Sequence, residues 1–239
     1  MPALSHLKIA LVKSGTTVPM QRSKAMPISA FADLFHSWPD NGDLDISRLR
    51  MKCLTLLAYV CMLRPSDVAP GAELYNPEDS ARSVFEFTTD DVSLTGGHMD
   101  ISFHGIKNDY QRKGMKVSVK PASDPTMCPV GAMSAYLDKT RQCRSDTNKH
   151  VFIALKPPYQ GLTVGSIARI LNEAIKLAGL TGYTAKDFRS SGATAAVQAG
   201  LPEETIMKVG RWRSADVFRE HYIHSKVPDD YTDKIVSSV

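Results

Sequence analysis

Apolar side chains recur along this chain with spacings that predict helices near both ends and strands between them. The first amphipathic stretch opens at Pro27 and places Phe31 on its apolar face. Residues 46–63 are almost wholly apolar, and a run of that length predicts a buried helix rather than a strand. Pro65 stops this helix, which leaves Arg64 at its C-terminal end.

Short stretches of alternating apolar and polar residues in the middle of the chain predict strands. We expect strands at 83–87, 99–106 and 115–120, with the polar segment 108–114 as a hairpin loop between the last two. From Pro129 onward the spacing becomes helical, and glycine and proline mark where successive helices begin and end. These helices are predicted at 163–178, 187–199, 202–210 and 214–225.

The predicted elements have a simple order: helices, then a small antiparallel sheet, then helices again. This order is typical of an α+β fold, mainly α, with the sheet flanked by helices. We divide the chain into an N-terminal arm or linker over 1–25, a main domain over 26–225 and a C-terminal tail over 226–239. The sequence contains no internal repeat and no low-complexity segment.

Composition excludes several classes of protein. Of the 239 residues, 43% are hydrophobic, which is enough to bury a core and argues against disorder. The sequence has neither an apolar stretch of about 18 residues nor a secretory signal, so we expect an intracellular protein without a membrane span. The four cysteines form no CxxC pair and no metal-binding spacing with histidine, which favours reduced thiols.

The net charge is only +4, but it is distributed unevenly. Residues 61–106 carry a net charge of −6, whereas 107–149 carry +5 and 205–226 carry +3. Basic stretches that converge on one face of a fold attract a polyanion such as nucleic acid. Ordinary solvated charge explains the same pattern, so charge alone does not identify a partner.

Several side chains that could take part in catalysis or bind phosphate stand where predicted elements begin or end. An arginine presents a planar fork that suits phosphate oxygens, and nearby cations lower the pKa of a phenol from its usual value of about 10. Cations around one tyrosine hydroxyl therefore predict phosphoryl transfer without a metal, with the cations stabilising the transition state. The residues concerned are Arg64, Lys107, Lys186, Arg189, Arg211, Trp212 and Tyr222.

Each of these residues also has a structural explanation. Arg64 can pair with Asp67 at a helix end, and Lys107 can keep a hairpin soluble. Trp212 can be a core or capping residue, and Tyr222 can be a surface aromatic. For any single residue the structural explanation is preferred, whereas the complete set in this order favours the functional one.

In their order along the chain, these motifs resemble those of the tyrosine recombinases, also called the phage-integrase family. The resemblance covers about residues 27–225, and the ordered set is fairly specific although no single motif is. Its five parts are the apolar helix ending in Leu63-Arg64-Pro65-Ser66-Asp67-Val68, a β-hairpin with Lys107, the run Lys186-Asp187-Phe188-Arg189, the run Gly210-Arg211-Trp212 after a short helix, and Tyr222-Ile223-His224.

Two motifs depart from the usual family pattern. Lys186 stands where most members have a histidine; some recombinases have a lysine there, and a lysine is a cation and proton donor more than a base. The third motif reads Gly-Arg-Trp instead of Gly-His, so either Arg211 or Trp212 fills the histidine position. We favour Arg211 as a phosphate ligand with Trp212 packed beside it. The Gly-Arg-Trp form resembles recombinases of eukaryotic mobile elements, the Crypton and DIRS/Ngaro-like groups.

The resemblance implies a tyrosine-recombinase catalytic domain that cuts and rejoins DNA strands without metal, ATP or another cofactor. Tyr222 would attack a scissile phosphate, form a 3′-phosphotyrosyl bond and release a 5′-hydroxyl. The 5′-hydroxyl of another strand would then reverse this step and join the new ends.

The same resemblance implies roles for the cations. Arg64, Arg189 and Arg211 would hold the non-bridging oxygens of the phosphate. Lys107 would protonate the leaving 5′ oxygen, and Lys186 would assist proton transfer or add positive charge.

The resemblance further implies double-stranded DNA as the partner, and a tetramer on two DNA sites assembled from subunits that are monomeric when free. The tail 226–239 would dock on a neighbouring subunit or fray. Family members usually carry a helical DNA-clamping domain before the catalytic domain, and 1–25 would be its remnant, in either a fragment or a minimal protein. We therefore expect weak, strongly salt-dependent DNA binding. In a eukaryote we expect a nuclear location, and otherwise the cytoplasm or nucleoid.

Two related functions fit the same residues. The first is a DNA-binding protein derived from a recombinase that has lost its activity; the presence of Tyr222 and of the arginines argues against it. The second is an enzyme similar to type IB topoisomerases, which use the same phosphotyrosine chemistry to relax one duplex.

Overall fold

The computed structural model describes residues 25–69, 87–103, 115–212 and 214–222, and its elements follow the predicted order. The described strands are β1 (Val92–Thr95), β2 (His98–Phe103) and β3 (Met115–Val119), which form an antiparallel sheet in the order β1-β2-β3. The predicted α+β class, mainly α, is confirmed. The described helices are α1 (Ile28–His36), α2 (Ile46–Val60), α3 (Pro129–Lys139), α4 (Val164–Leu177), α5 (Asp187–Gln198), α6 (Glu203–Gly210) and α7 (Ala215–Tyr222).

The sheet differs from the prediction in its first strand. A strand was expected at 83–87, of which only Phe87 lies within the described residues, and Phe87 is not in a strand. The sequence prediction missed β1, which pairs with β2 across Gly96 and Gly97, at φ +59° and +78°. Two consecutive glycines with positive φ form the tight turn that suits the twist of a hairpin.

The other two predicted strands are confirmed within the described residues. β2 ends at Phe103, and the expected continuation to 106 and the loop 108–114 lie outside those residues. In the pairing of β2 with β3, Ile101 lies opposite Val117, and both are buried in the core. The sheet thus buries one face, as the alternation of its residues predicts.

Helix α2 is the centre of the fold, because α3, α4 and α5 all pack against it. Asp45 caps its first turn by accepting a hydrogen bond from the Arg48 N–H at 3.0 Å. The predicted buried helix is confirmed, but it ends at Val60 rather than at 63. Arg64 therefore lies beyond the helix, in extended backbone at the start of a 3-10 turn over Pro65–Asp67. The residue before a proline avoids the helical region, and here the chain leaves the helix still earlier.

The helices after the sheet match their predicted bounds within one or two residues. Helix α7 follows Ser214 and is described as far as Tyr222, so its expected extension to 225 lies outside the described residues. A small apolar cluster joins α5, α6 and α7 to the end of α2, and this cluster fixes the helices that carry the predicted site. Its buried members are Met62, Ala193, Ala196, Ile206 and Phe218.

Two chemical features of the described part complete the fold. None of its helices has both the length and the apolar character needed to cross a bilayer. All four cysteines are free thiols, and three of them are buried. Burial raises the pKa of the Cys61 thiol to about 12, which keeps it protonated at neutral pH.

Candidate active site

The turn that follows α2 is the meeting point of two predicted site residues. The main-chain carbonyl of Met62 accepts a hydrogen bond from Nη1 of Arg189 at 2.9 Å and from Nη2 of Arg211 at 3.4 Å. These arginines come from α5 and from the end of α6, more than 120 residues further along the chain. The fold thus brings the first, second and third motifs to one carbonyl group.

Arg189 reaches this carbonyl because α5 lies unusually close to α2. A Cβ on Gly192 would overlap the carbonyl oxygen of Tyr59, so only glycine permits this approach. Ser191 joins α5 to the segment before α1, since its hydroxyl accepts a hydrogen bond from the Met26 N–H at 2.9 Å. The small residues that follow Arg189 in the motif therefore determine how far its side chain extends towards the end of α2.

Trp212 covers the guanidinium of Arg189. The Arg189 guanidinium carbon lies 4.0 Å from the centroid of the indole, within the range of a cation–π contact. The indole also packs on Phe218 of α7, with ring centroids 5.0 Å apart, and it fills the space that a Cβ on Gly210 would occupy. Trp212 thus contacts both the second motif and the helix that carries Tyr222.

Arg211 points into the protein. Its Nη2 lies 2.8 Å from Oδ2 of Asp67, and the two side chains are only 2% and 4% exposed. Its Nη1 donates to the carbonyls of Cys61 at 3.2 Å and Val209 at 3.3 Å. Burial lowers the pKa of Arg211, and the Asp67 carboxylate opposes this effect.

Arg64 lies close to this buried pair. Its main-chain N–H donates to Oδ2 of Asp67 at 2.8 Å, the same oxygen that binds Arg211. The positive charge of Arg64 contributes to the lowered pKa of Arg211, after the burial of Arg211 and the opposing effects of its neighbours. Arg64 is half-buried, so its side chain borders the site without being enclosed.

Lys186 is exposed at the N-terminal boundary of α5, one turn before Arg189. Two side chains outside the set of predicted site residues hold the loop before it. Oδ1 of Asn172 accepts from the Ala185 N–H, and Oδ2 of Asp187 accepts from the Thr184 N–H, both at 2.7 Å. The Thr-x-x-Asp spacing is typical of a helix start and is a signal that identifies Asp187 in advance. No local signal identifies Asn172, because its hydrogen bond joins two residues that are 13 positions apart in the sequence.

The structure brings four of the seven predicted residues together. A fifth, Lys186, lies exposed at the start of α5, and the side chains of the other two are outside the described part of the structure. Arg64, Arg189, Arg211 and Trp212 converge around the end of α2. Lys107 lies outside the described residues, and Tyr222 is described only as the last residue of α7, a helix that packs on α5. Among the described residues, no group of three histidine, cysteine or acidic side chains could hold a metal ion.

Comparisons by sequence give no match, either to a protein-family model or to a curated protein. Comparison of structures does give matches. The chain is similar to the XerA recombinase, with a TM-score of 0.61 and 16% identity over 92% of this chain and 66% of that one. It is also similar to the XerH site-specific recombinase bound to difH substrate, with a TM-score of 0.61 and 14% identity over 92% and 56%.

A third similar structure is a lambda integrase dimer bound to a COC′ core site, with a TM-score of 0.51 and 15% identity over 86% of this chain and 49% of that one. The chain thus spans about two thirds or less of the length of these proteins. At such low identity the agreement is one of fold. The chain therefore has the fold of the tyrosine recombinase and integrase catalytic domain, as its motifs indicated.

Proposed function

We propose that this chain is the catalytic domain of a DNA recombinase or integrase that cleaves and rejoins strands through a phosphotyrosyl bond on Tyr222. The observation that carries the proposal is the convergence of Arg64, Arg189 and Trp212, from three separate motifs, around the end of α2. The recombinase fold adds support, because it is the fold for which the same motifs were expected.

The proposed reaction exchanges one phosphate ester bond for another, so their number stays constant. The Tyr222 oxygen bonds to phosphorus as the bond to the 5′ oxygen breaks, and the phenolic proton passes to solvent water. Lys107 supplies a proton to the departing 5′ oxygen. A 5′-hydroxyl from another strand then attacks the phosphotyrosine, releases Tyr222 and forms the new ester. Because the number of phosphate ester bonds is unchanged, the reaction needs no ATP.

The arginines are proposed to stabilise the charge on the non-bridging oxygens as phosphorus becomes five-coordinate. Arg64 and Arg189 are suited to this role by their forked guanidinium groups. We assign the third motif position to Trp212 rather than to Arg211. Support for this assignment comes from the contact of Trp212 with Arg189 and from the internal partners of Arg211.

Double-stranded DNA is the proposed partner. XerH and the lambda integrase were each observed on a DNA site, which supports the same partner for a chain with their fold. The basic segments 107–149 and 205–226 would supply contacts to phosphate groups. Assembly into a tetramer on two sites is part of the same proposal.

A nicked duplex that traps the covalent intermediate tests the proposal directly. The duplex carries the native element end, or a pool of candidate ends, and is incubated with the chain in EDTA. We expect a covalent protein–DNA adduct that is absent with Tyr222→Phe. Tyr159→Phe is a matched control, because Tyr159 lies beside Ile46 at the far end of α2 from the site. A helix of 15 residues separates the two ends by roughly 20 Å.

The outcomes separate the proposed function from its alternatives. Salt-sensitive DNA binding without an adduct, even after an upstream DNA-binding domain is added, contradicts catalysis and favours an inactive relative. If the chain forms the adduct and relaxes supercoiled plasmid but never joins two duplexes, a topoisomerase-like enzyme is favoured. If the chain forms the adduct and also exchanges ends between duplexes, the recombinase is supported.

A further inference from the structure

Arg211 combines a left-handed main chain with internal partners for both of its terminal nitrogens, while its buried Nε has no hydrogen-bond partner among the described residues. We propose that Arg211 and Asp67 form a buried clamp that positions the active site and that Arg211 does not bind phosphate itself. The clamp is defined by the ion pair between Nη2 of Arg211 and Oδ2 of Asp67 at 2.8 Å. Its catalytic consequence rests on the proposed function, whereas its geometry does not.

On one side, the clamp holds the turn that carries Arg64. Oδ2 of Asp67 accepts hydrogen bonds from the Arg64 N–H and from Arg211, both at 2.8 Å. The Asp67 N–H in turn donates to the Arg64 carbonyl at 2.9 Å, which closes the 3-10 turn. The carboxylate therefore fixes the main chain of Arg64 relative to the end of α6.

On the other side, the clamp determines the course of the chain into Trp212. Arg211 has φ +61° and ψ +42°, a left-handed conformation that glycine or asparagine usually supplies after a helix. This conformation turns the chain back, so that the main-chain N–H of Trp212 donates to the Met207 carbonyl at 2.9 Å. The indole then lies over Arg189. An arginine at this position costs conformational energy, and its buried ion pair and hydrogen bonds offset that cost.

The clamp also contacts the sheet. The Arg211 guanidinium carbon lies 4.8 Å from the centroid of the Phe103 ring, at the end of β2. The chain continues from Phe103 towards the predicted Lys107. One guanidinium thus contacts the end of α2, the 3-10 turn, the end of α6 and the end of β2.

These contacts explain why Arg211 is better suited to positioning than to phosphate binding. Its side chain is 2% exposed, and both terminal nitrogens already donate to protein acceptors. To bind a phosphate, Arg211 would have to leave Asp67, and an uncompensated carboxylate would remain buried. Arg64, which is half-buried and shares the site, would not incur that loss.

The first test of the clamp needs no DNA. Arg211→Met, Asp67→Asn and the double variant are compared in thermal unfolding. Each single variant should lower the Tm by roughly 10 °C, because each leaves one buried group without its partner. The double variant should lose much less than the sum of the two single losses. Additive losses would overturn the clamp.

The second test follows Trp212 by fluorescence. The chain has two tryptophans, so Trp38→Phe leaves Trp212 as the single tryptophan, which is excited selectively above the tyrosine absorption. In this background, Arg211→Met should red-shift the emission and increase quenching by acrylamide at least twofold. The reason is that the main-chain turn at residue 211, which places the indole over Arg189, is no longer held in place. Lys208→Met is a matched control, because it removes a cation of α6 that is exposed. Unchanged emission in Arg211→Met would contradict the positioning of Trp212.

The third test separates positioning from phosphate binding and from a purely structural role. The nicked duplex is prepared with a phosphate or with an uncharged methylphosphonate at the scissile position, and adduct formation is followed well below the Tm of each variant. Arg64→Ala should be slow on phosphate and partly rescued by methylphosphonate, which carries no charge for Arg64 to neutralise. Arg211→Met should form the adduct at least tenfold more slowly than the wild-type chain on both substrates.

The results of the third test have distinct meanings. Rescue of Arg211→Met by methylphosphonate would make Arg211 a phosphate ligand and overturn the proposal. A wild-type rate on phosphate would make the ion pair merely structural and also overturn it. If the wild-type chain itself forms no adduct, the proposed function fails, and the unfolding and fluorescence results alone decide whether the clamp exists.

Discussion

The guanidinium of Arg189 lies against the face of the Trp212 indole, with 4.0 Å between the guanidinium carbon and the ring centroid. This contact joins the second and third motifs, which are 23 positions apart in the sequence. An aromatic face stabilises a cation and restricts its orientation. Trp212 therefore fixes the plane of a guanidinium that also donates to the Met62 carbonyl.

Replacing Trp212 should affect both stability and cleavage. Trp212→Ala removes the contacts with Arg189 and Phe218, and we expect the free energy of unfolding to fall by about 2 kcal/mol. Adduct formation on the nicked duplex should slow at least tenfold. Trp212→Phe keeps an aromatic face and should retain most of both properties. Equal rates for Trp212→Ala and wild type would show that the indole does not contribute to the reaction. Denaturant unfolding and single-turnover kinetics provide the two measurements.

The close approach of α5 to α2 depends on Gly192. A Cβ there would overlap the Tyr59 carbonyl oxygen, which is main chain and cannot move without displacing α2. Gly192→Ala should lower the free energy of unfolding by about 1–3 kcal/mol, as overpacking does elsewhere. Gly165→Ala is the matched control: it lies in α4, where the nearest atom would be 4.0 Å away, and it should be neutral or stabilising by up to about 1 kcal/mol. Denaturant unfolding of the two variants provides the comparison.

Gly210 makes room for the indole in the same way. Gly210→Ala places a methyl group within the Trp212 ring, so the indole must leave its position over Arg189. We expect a shift in Trp212 fluorescence in the Trp38→Phe background and slower cleavage. Gly131→Ala introduces a Cβ at ordinary contact distances of 3.7 and 3.8 Å and should change neither. An unaltered Trp212 spectrum in Gly210→Ala would contradict the packing.

Asn172 supports the loop that precedes Lys186. Its Oδ1 accepts from the buried Ala185 N–H, and this group loses its partner in Asn172→Ala. We expect a loss of about 1 kcal/mol in the free energy of unfolding, because the site is partly solvated. Asn172→Asp keeps an acceptor at the same place and should lose less. Hydrogen exchange of the Ala185 amide, faster in Asn172→Ala than in Asn172→Asp, would confirm the origin of the effect.

Tyr136 should make the stability of the fold depend on alkaline pH. Burial raises the pKa of its phenol to about 12, although the Ile153 N–H that donates to its oxygen acts in the opposite direction. The unfolded phenol has a pKa of about 10, so this stabilisation is complete below pH 10 and is lost as the pH rises towards 12. We expect about 2–3 kcal/mol of the free energy of unfolding to disappear across this range.

Tyr136→Phe provides the comparison for the pH effect. The variant lacks the titrating phenol, so its free energy of unfolding should depend less steeply on pH between about 10 and 12. It also leaves the Ile153 N–H without its acceptor, which lowers stability at neutral pH by about 1–2 kcal/mol. Parallel pH profiles for the variant and the wild type would show that Tyr136 does not titrate with unfolding.

The sequence by itself determined the order and type of most elements, because helix and strand periodicity are local properties. The apolar run before Arg64 predicts a buried helix, and glycines at 179 and 200 stand where helices end. The ordered motifs also indicated the recombinase fold. The missed strand β1 had two local signals, the alternation of apolar and polar residues over Val92–Thr95 and the glycine pair Gly96 and Gly97.

Only the tertiary structure decided where the two side chains of the third motif point. Arg211 and Trp212 are neighbours in the chain, and either one suits a phosphate site by residue type. The left-handed turn at Arg211 directs its side chain to Asp67 and places the indole on Arg189. Contacts across 144 residues depend on how α2, α5 and α6 pack, and local sequence patterns carry no information about such distances.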